Sequence, residues 1–193
     1  MKSVRKEKLI LGSGSPRRKE ILELADIDFD VLVSDVDESY PTDTMVREIP
    51  VLLAERKAAA IQKQFSVGER PILTADTVVV VEGEVLGKPV SREEAIQMIQ
   101  KLSGRKHQVI SGVCWMRNDI VKTVTDITYV TFTEIAIEDI IYYVDHYQPF
   151  DKAGAYAIQE WIGVRYIANI QGCYYNVMGL PLPCMLQELA EVF

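Results

Sequence analysis

Two arginines, Arg17 and Arg18, stand directly after the segment Gly-Ser-Gly-Ser-Pro at residues 12–16. That segment follows a short apolar run and precedes a pattern that is typical of a helix. Helix N-termini attract anions, and arginine binds phosphate oxygens in bidentate fashion. The segment therefore predicts a phosphate-binding turn. The alternative is an ordinary capped turn whose arginines face the solvent.

The glycines of this segment also fit the start of a dinucleotide-binding loop. Gly12 and Gly14 follow a predicted strand, and Asp35 or Asp37 lies about 20 residues further on, where a ribose-binding acid is expected. The third glycine of that pattern is missing, and Arg17 stands in its place. The Gly-Lys-Ser/Thr of a P-loop is absent from the sequence. An oxidoreductase that uses a nicotinamide cofactor is therefore kept as an alternative only.

Carboxylates occur at two places where chemistry could use them. Asp35, Asp37 and Glu38 come directly after a predicted strand, and Asp76 lies within an apolar, β-branched segment. A buried carboxylate must be capped, paired or used, because burying it without a partner is costly. One interpretation is a turn acid that accepts backbone N–H bonds. The other is a general base or a ligand of Mg²⁺ or Mn²⁺, which prefer oxygen donors.

Two lysines and a glutamine extend this set. Lys57 lies in a predicted helix rich in alanine and leucine, where a solvated face is the alternative reading, and Lys88 stands between Gly87 and Pro89. Gln159 follows a segment of small residues and offers an amide that can pair with the edge of a base. Arginines, lysines and carboxylates together are the usual components of a phosphoryl-transfer site.

The predicted elements of the N-terminal part place most of these residues at the ends of strands and helices. A strand is predicted over residues 8–12, and a helix over 16–25 with Ser15 as its N-cap. Residues 29–34 alternate between apolar and polar, which indicates a second strand. A longer helix is predicted to begin at Pro50 and to end before Gly68.

The rest of the chain mixes strands with helices. Strands are predicted around Glu82-Gly83 and, as a long hairpin, around Asn118-Asp119. Ser91 and Glu94 predict a capping box, and Gly104 marks the end of that helix. Further predicted elements are a helix at 136–147, a strand at 163–172 and a final helix at 179–193. This order predicts an α/β fold of mixed α+β character, with a mixed sheet and flanking helices. The two termini are expected to form one lobe and the middle of the chain the other.

Composition and charge exclude several classes of function. The chain has 193 residues, a net charge of −7 and a pI near 5.0, which disfavours nucleic acid as a partner. Cys114, Cys173 and Cys184 fit neither a disulfide framework nor a zinc site, so a reduced, cytoplasmic compartment is expected. His107 and His146 lie too far apart in the sequence to favour a metal site. Neither a membrane-spanning run nor the apolar core of a signal peptide is found, so no membrane association is expected.

Eight short segments occur in order along nearly the whole chain: GSGSPRRKEIL, DVDES, LAERKAAA, TADTVV, LGKP, LSGRKHQVISGV, DKAGAYAIQ and YYNVMGLP. As an ordered set they resemble the Maf family of nucleoside triphosphate pyrophosphatases. The resemblance implies a single Maf-like domain over residues 1–193, with two lobes around a deep cleft and a fold related to inosine triphosphate pyrophosphatase. It also implies that a nucleoside triphosphate is hydrolysed to the monophosphate and pyrophosphate with Mg²⁺ or Mn²⁺. A homodimer is plausible for this family.

The same resemblance implies a role for each matching residue. Asp76 matches the catalytic acid, and Asp76 and Glu38 match the metal ligands. The implied phosphate-binding residues are Ser13, Ser15, Arg18, Lys57 and Lys88. The implied specificity residues, which are those of the dTTP/UTP branch, are Arg17, Thr77 and Gln159. Two departures are present: Gly12 replaces a usual alanine, which we expect to be harmless, and Glu160-Trp161 follow Gln159 where many members have glycine. The second departure bears on the choice of base.

The activity that the resemblance implies is hydrolysis of dTTP and UTP, which removes unwanted nucleotides from the pool. CTP and modified pyrimidine nucleotides are further candidate substrates. One alternative is a Maf pyrophosphatase of the methylated-GTP type. Another is a non-catalytic inhibitor of septum formation that acts by binding a partner.

Overall fold

The computed structural model describes residues 8–191. Two parts of the chain lie outside that range. They are residues 1–7, in which no signal-peptide core was expected, and residues 192–193, the end of the predicted final helix. In chain order the elements are β1 (Leu9–Leu11), α1 (Pro16–Leu24), β2 (Phe29–Val31), α2 (Ile49–Gln64), β3 (Ile72–Val81), β4 (Glu84–Leu86), α3 (Arg92–Leu102), β5 (Lys106–Arg117), β6 (Ile120–Phe132), α4 (Ile137–Tyr147), a 3-10 turn (Ala153–Ala155), α5 (Trp161–Tyr166), β7 (Ile167–Gln171), α6 (Tyr174–Met178) and α7 (Leu182–Glu188).

The strands form a mixed sheet of seven strands in the order β2-β1-β3-β5-β6-β7, with β4 paired to β3. β1 pairs in parallel with both β2 and β3, whereas β4 runs antiparallel to β3 and β7 antiparallel to β6. Parallel pairs need helical crossovers and antiparallel pairs need only short turns, which is why helices and hairpins alternate here. The predicted fold class, a mixed sheet with flanking helices, is confirmed.

The chain divides into two compact units. The first unit holds residues 8–76, 112–125 and 179–191, and the second unit holds Thr77–Ser111 and Asp126–Met178. The first unit therefore contains both ends of the described chain, as expected, but it also takes the turn region of the long hairpin from the middle of the sequence. That the whole chain acts as a single domain stays a prediction.

The core of the first unit lies between its strands and α2. Ile10 of β1, Ile72 of β3 and Cys114 of β5 are buried there against Ala54 and Ile61 of α2. Burial stabilises this layer by about 25 cal/mol for each Å² of apolar surface removed from water. The packing fixes the face of α2, and with it the direction in which the polar residues of that helix point.

Gly12 is one of the tight points of this layer. A Cβ placed on Gly12 would lie 2.4 Å from Ile61 Cδ1 and 2.5 Å from Thr74 Cγ2. Thr74 cannot rotate away without cost, because its buried hydroxyl donates to the carbonyl of Ala54 at 2.6 Å. Glycine at position 12 therefore fits the close packing of the Ile61 and Thr74 side chains, which leaves no room for a Cβ.

We predict that Gly12→Ala lowers the free energy of unfolding by about 1–3 kcal/mol, because an added methyl group overpacks the layer. Urea denaturation of the two proteins measures this difference. Gly14→Ala is the matched control, since its Cβ would find only Val33 Cγ2, at 3.7 Å. That control should change stability by about 0.5 kcal/mol or less. Equal stability of Gly12→Ala and the unmodified chain would contradict the packing argument.

The core of the second unit surrounds Tyr143 and Phe132, which are among its largest fully buried side chains. His107 is buried beside them, and its Nε2 lies 2.8 Å from Tyr156 Oη. Burial lowers the pKa of His107 to about 4. The ring is therefore neutral near pH 7 and belongs to the core.

Helix α3 shows how local sequence sets the ends of an element. Ser91 Oγ accepts from the backbone N of Glu94 at 3.1 Å, as a capping box requires. A capping box also predicts that Glu94 accepts from the backbone N of Ser91. In the structure Glu94 Oε2 accepts from the backbone N of Val90 instead, at 2.7 Å. The helix ends at Leu102, and Gly104 follows with a φ of +69°.

The predicted strand at 163–172 is partly wrong. The structure has α5 up to Tyr166 and strand β7 only from Ile167. The residues of α5 have high strand propensity, but burial of Ile162 decides their conformation. Gly163 allows this, since a Cβ there would lie 2.1 Å from the carbonyl oxygen of Ile158. The short helix α6 was not predicted, and β2 has three residues where six were predicted.

Candidate active site

Arg18 of α1 is held by two oxygen atoms of the first unit. Its Nε donates to the carbonyl of Gly179 at 2.8 Å, and its Nη1 donates to Ser13 Oγ at 3.1 Å. Gly179 has a φ of +106°, a conformation that favours glycine. The carbonyl that fixes Arg18 thus depends on a glycine near the other end of the chain.

Ser13 organises the turn before α1. Ser15 has the extended conformation of an N-cap, as predicted, but its side chain makes no capping bond. Instead the backbone N of Ser15 donates to Ser13 Oγ at 3.2 Å. Because the buried hydroxyl of Ser13 accepts from both Ser15 and Arg18, its own proton is directed to a further acceptor. An anionic oxygen is such an acceptor.

The electrostatic environment of Arg18 contains charges of both signs. Burial lowers the pKa of the Arg18 guanidinium below its ordinary value, and the positive charge of Arg17 acts in the same direction. The carboxylates of Asp76 and Glu38 act in the opposite direction and raise that pKa. Arginine nevertheless remains charged in proteins, so Arg18 is a fixed cation close to two carboxylates.

Lys57 of α2 joins the two carboxylates that the sequence singled out. Its Nζ lies 2.5 Å from Asp76 Oδ1 and 2.8 Å from Glu38 Oε1. Asp76 is 8% exposed, and the side chain of Lys57 is 13% exposed. The Lys57–Asp76 pair is far from solvent and is therefore screened little, whereas the side chain of Glu38 is 47% exposed. Lys57 holds both carboxylates toward one position. We call Glu38, Lys57 and Asp76 the carboxylate–lysine cluster.

Arg56, which precedes Lys57 on α2, holds the loop that carries Glu38. Its Nη1 donates to the carbonyls on either side of Glu38, those of Asp37 and Ser39, the second at 2.6 Å. Asp37 accepts in turn from the backbone N of Ser39 at 2.9 Å and from its hydroxyl at 2.6 Å. These bonds lower the pKa of Asp37, chiefly through the Ser39 hydroxyl. Asp37 is therefore a turn acid, and Glu38 is the loop residue aimed at Lys57.

The carboxylate–lysine cluster fits a divalent cation of the magnesium type. Two carboxylate oxygens already converge on a single positive group, the Lys57 ammonium. Within residues 8–191 no cluster of three or more His, Cys, Asp and Glu side chains is arranged to hold a metal ion. Mg²⁺ is commonly held by one or two carboxylates together with water and substrate phosphates, so two carboxylates are an appropriate protein contribution.

The second unit carries the other three predicted residues at separate places in the chain. Thr77 lies on β3, and its Oγ1 is 2.8 Å from Ser111 Oγ of β5. Lys88 is exposed after β4, in the wall of an open cavity that β4 and α3 also line. Gln159 is exposed just before α5. An exposed amide and an exposed ammonium are both accessible to a ligand.

Glu160, the charged residue that departs from the family pattern, has two partners within the second unit. Its Oε1 lies 3.3 Å from the Nζ of Lys152, and its Oε2 accepts from the hydroxyl of Tyr143. The side chain of Lys152 is 8% exposed and also pairs with Asp151 at 2.7 Å. The Glu160 carboxylate thus contacts both Lys152 and Tyr143. These contacts hold the segment that contains Gln159 in place.

Comparison with known proteins identifies the family. The model of the family described as Maf-like protein matches residues 8–192. This chain belongs to the Maf family. A relative named dTTP/UTP pyrophosphatase in Bacteroides fragilis is 47% identical over 186 residues, which are 96% of each chain. Relatives with the same name occur in Bacteroides thetaiotaomicron, 46% identical over 97% of each chain, and in Porphyromonas gingivalis, 44% identical over 98% of this chain and 96% of the relative.

Among solved structures, a nucleoside-triphosphatase / dITP/XTP pyrophosphatase from Mycobacterium abscessus is similar to part of this Maf chain. The match covers 66% of this chain and 74% of that protein, with 11% identity and a TM-score of 0.40. A likeness at that level carries no inference about this chain.

The Maf motifs thus lead to two groups of contacts in the first unit. The structure brings Ser13 together with Arg18, and it brings Glu38, Lys57 and Asp76 together in the carboxylate–lysine cluster. Ser15 and Arg17 lie beside them in the chain. Thr77, Lys88 and Gln159 belong to the second unit, where Thr77 lies on β3 and the other two lie outside helices and strands.

Several residues that fix these groups were not predicted from the sequence. They are Arg56, Ser111, Lys152, Asn176 and Gly179. All five lie within the motif segments that carry the Maf resemblance, so a signal for them was present in the ordered set. Their contacts join segments far apart in the chain, and a local pattern does not specify such partners.

Proposed function

We propose that this chain hydrolyses dTTP and UTP to the nucleoside monophosphate and pyrophosphate. The observation that carries the proposal is the convergence of the Glu38 and Asp76 carboxylates on Lys57, with the fixed cation Arg18 nearby. Acidic and basic groups held together in this way can bind a polyphosphate and activate water. The names of the curated relatives supply the substrates.

In the proposed reaction Asp76 acts as the general base. Its carboxylate orients a water molecule and takes one proton from it, while the water oxygen attacks the α-phosphorus in line with the bond to be broken. The new bond joins the water oxygen to the α-phosphorus. The bond that breaks joins the α-phosphorus to the oxygen it shares with the β-phosphate, and pyrophosphate leaves with that oxygen. General-base catalysis of this kind contributes about 10²–10⁴-fold.

The cationic side chains are proposed to stabilise the charge that develops on the leaving pyrophosphate. Arg18, Lys57 and Lys88 are the cations that we propose for this role. Ser13 and Ser15 are proposed to donate to phosphate oxygens. Charges already in position cost no reorganisation during the reaction, which makes such stabilisation effective.

Glu38 and Asp76 are the residues we propose to hold Mg²⁺ or Mn²⁺. Such a cation, when bound, supplies positive charge against the phosphate oxygens. Oxygen donors of this type select hard divalent cations rather than softer metals.

Arg17, Thr77 and Gln159 are the proposed selectors of the base. A side chain that pairs with the correct base is left unpaired by an incorrect one, and an unpaired polar group is costly when buried. The engagement of Glu160 by Lys152 and Tyr143 supports this assignment, because it holds the carboxylate beside Gln159 in a fixed place.

The experiment that tests the proposal is a pyrophosphate-release screen. The panel contains dTTP, UTP, CTP, modified pyrimidine triphosphates, the purine triphosphates and a methylated GTP, each with Mg²⁺ and with Mn²⁺. We expect the highest kcat/KM with dTTP and UTP. Inactivity on every compound would overturn the proposal, and a purine preference would assign the chain to the methylated-GTP branch.

Two of the alternatives find little support in the geometry. Of the two candidates for a ribose-binding acid, Asp35 and Asp37, the second is engaged by Ser39 in its own turn. Arg17 also stands where the dinucleotide loop requires its third glycine. That disfavours a nicotinamide-cofactor oxidoreductase. A purely non-catalytic inhibitor of septum formation gives no reason for the carboxylate–lysine cluster.

The setting of the enzyme is also proposed. Burial raises the pKa of the Cys114 thiol to about 12, which keeps it unreactive. An unreactive thiol at Cys114 is consistent with the reducing cytoplasmic location that we propose. In residues 8–191 no helix combines the length and apolarity needed to cross a membrane. A homodimer without a nucleic-acid partner is our proposal for its assembly.

A further inference from the structure

Thr77 belongs to a chain of hydrogen bonds inside the second unit. Its Oγ1 lies 2.8 Å from Ser111 Oγ, and Ser111 Oγ lies 3.2 Å from the backbone carbonyl oxygen of Asn176. Ser111 and Asn176 are both fully buried. A buried chain of this kind is sensitive to the direction of every proton in it, because an unmatched polar atom cannot turn to water.

The last member of the chain sets that direction. A carbonyl oxygen can only accept, so Ser111 must donate its single proton to Asn176. If Ser111 donated to Thr77 instead, two acceptor oxygens would face each other in a buried place. Ser111 therefore accepts from Thr77, and the proton of the Thr77 hydroxyl points to Ser111. Any further polar partner of the Thr77 oxygen must be a donor.

Asn176 is held firmly enough to impose this order. Its Nδ2 donates to the carbonyl of Val109 at 3.0 Å and to Thr128 Oγ1 at 2.9 Å. The carbonyl of Val109 can only accept, which fixes which end of the amide is the nitrogen. Thr128 is tied in turn to the backbone N of Cys173 at 3.0 Å and to its carbonyl at 3.2 Å. The backbone carbonyl of Asn176, which receives the Ser111 proton, therefore lies in a segment that several hydrogen bonds hold in place.

We propose that Ser111, oriented by the carbonyl of Asn176, is a positioning residue that makes the Thr77 hydroxyl a hydrogen-bond acceptor toward the base. This inference rests on the proposed function, in which Thr77 selects the base. Uracil and thymine carry a proton on N3 and can donate it, whereas N3 of cytosine is an acceptor. A fixed acceptor at Thr77 favours dTTP and UTP and disfavours CTP. The amino acid at position 111 thus contributes to substrate choice without touching the substrate.

The test is Ser111→Ala, assayed by pyrophosphate release with UTP and with CTP. Loss of the Ser111 oxygen frees the Thr77 hydroxyl to rotate and donate to cytosine N3. We expect the ratio of kcat/KM for UTP to kcat/KM for CTP to fall by about tenfold, which is the usual size of one well-placed hydrogen bond. An unchanged ratio in a folded variant would overturn the inference.

Ser103→Ala is the matched control in the same unit. Ser103 Oγ accepts from the backbone N of Ile135 at 2.7 Å and lies outside the hydroxyl chain. This variant loses a serine hydroxyl and some stability, but its UTP/CTP ratio should equal that of the unmodified enzyme. A drop in the ratio as large as that of Ser111→Ala would show a non-specific effect and overturn the inference.

A second variant keeps the inference testable if Ser111→Ala does not fold. Thr77→Val has nearly the same shape but no acceptor, so kcat/KM should fall more for UTP than for CTP. Equal losses for both nucleotides would count against the acceptor role. The unmodified enzyme separates the two levels of the proposal. If the unmodified enzyme is inactive on all triphosphates, the proposed function and this inference are both overturned. If the unmodified enzyme is active and Ser111→Ala has the same UTP/CTP ratio, only this inference is overturned.

Discussion

Asp76→Asn is expected to lower kcat for dTTP and UTP by about 10²–10⁴-fold, which is the range for loss of a general base. The amide has the shape of the carboxylate, and its oxygen can still accept from Lys57, but it cannot take a proton from water. Lys57 also keeps its second partner, Glu38, at 2.8 Å. The variant should therefore fold, and its far-UV circular dichroism should match that of the unmodified protein.

Asp30→Asn is the matched control for this substitution. Asp30 of β2 is also a carboxylate between two cations, with Lys8 at 2.5 Å and Arg70 at 2.7 Å, and it lies outside the carboxylate–lysine cluster. Its side chain is exposed, so the ion pairs are screened by solvent and contribute little to stability. Asp30→Asn should keep its turnover. Retention of turnover by Asp76→Asn would remove Asp76 from the role of base.

The parts of the fold that depend on neighbouring residues were predicted well. Glu82 and Gly83 both have positive φ, as a tight hairpin turn requires, and the turn stands where the sequence placed it. Ser91 caps α3 and Gly104 follows the end of that helix. Turns and caps depend on a few adjacent residues, so a short window of sequence contains what decides them.

The conformation of the segment before β7 depends on distant contacts and was not predicted. The residues around Ile162 have strand propensity, yet burial against the core of the second unit makes them helical. Propensity differences of this kind are within about 1 kcal/mol, so packing readily outweighs them. The close approach of Gly163 to Ile158 is visible only once the chain is folded.

The same division holds for the candidate site. The residue types that could bind phosphate or activate water were identified from the sequence, but their supports were not. Arg18 and Gly179 are 161 positions apart, and Ser111 and Asn176 are 65 apart. In each pair a backbone carbonyl is the acceptor. Since every residue has a carbonyl, the identity of the residue says little about such a contact.

Lys57 combines two functions in the carboxylate–lysine cluster, and its removal is expected to separate them. We predict that Lys57→Ala lowers kcat/KM for dTTP by about 10²–10³-fold, as expected for loss of one stabilising group at a developing charge. The same substitution leaves Glu38 and Asp76 without the cation that lies within 2.8 Å of both. We therefore expect Mn²⁺ to bind the variant about tenfold more tightly than the unmodified protein in the absence of nucleotide.

Isothermal titration with Mn²⁺ measures this affinity, and the gain in melting temperature with added Mn²⁺ provides a second readout, because a ligand that binds only the folded state stabilises it.

Lys57→Arg is the informative control. It keeps the positive charge between the carboxylates, so it should not tighten Mn²⁺ binding even if it impairs turnover. Lys101→Ala removes an exposed lysine from its pair with Glu84 at 2.6 Å and should change neither property. If Lys57→Ala loses activity but binds Mn²⁺ no more tightly, Lys57 does not compete with a metal for Glu38 and Asp76. The carboxylates would then belong to the lysine alone, and the proposed metal ligands would have to be sought elsewhere.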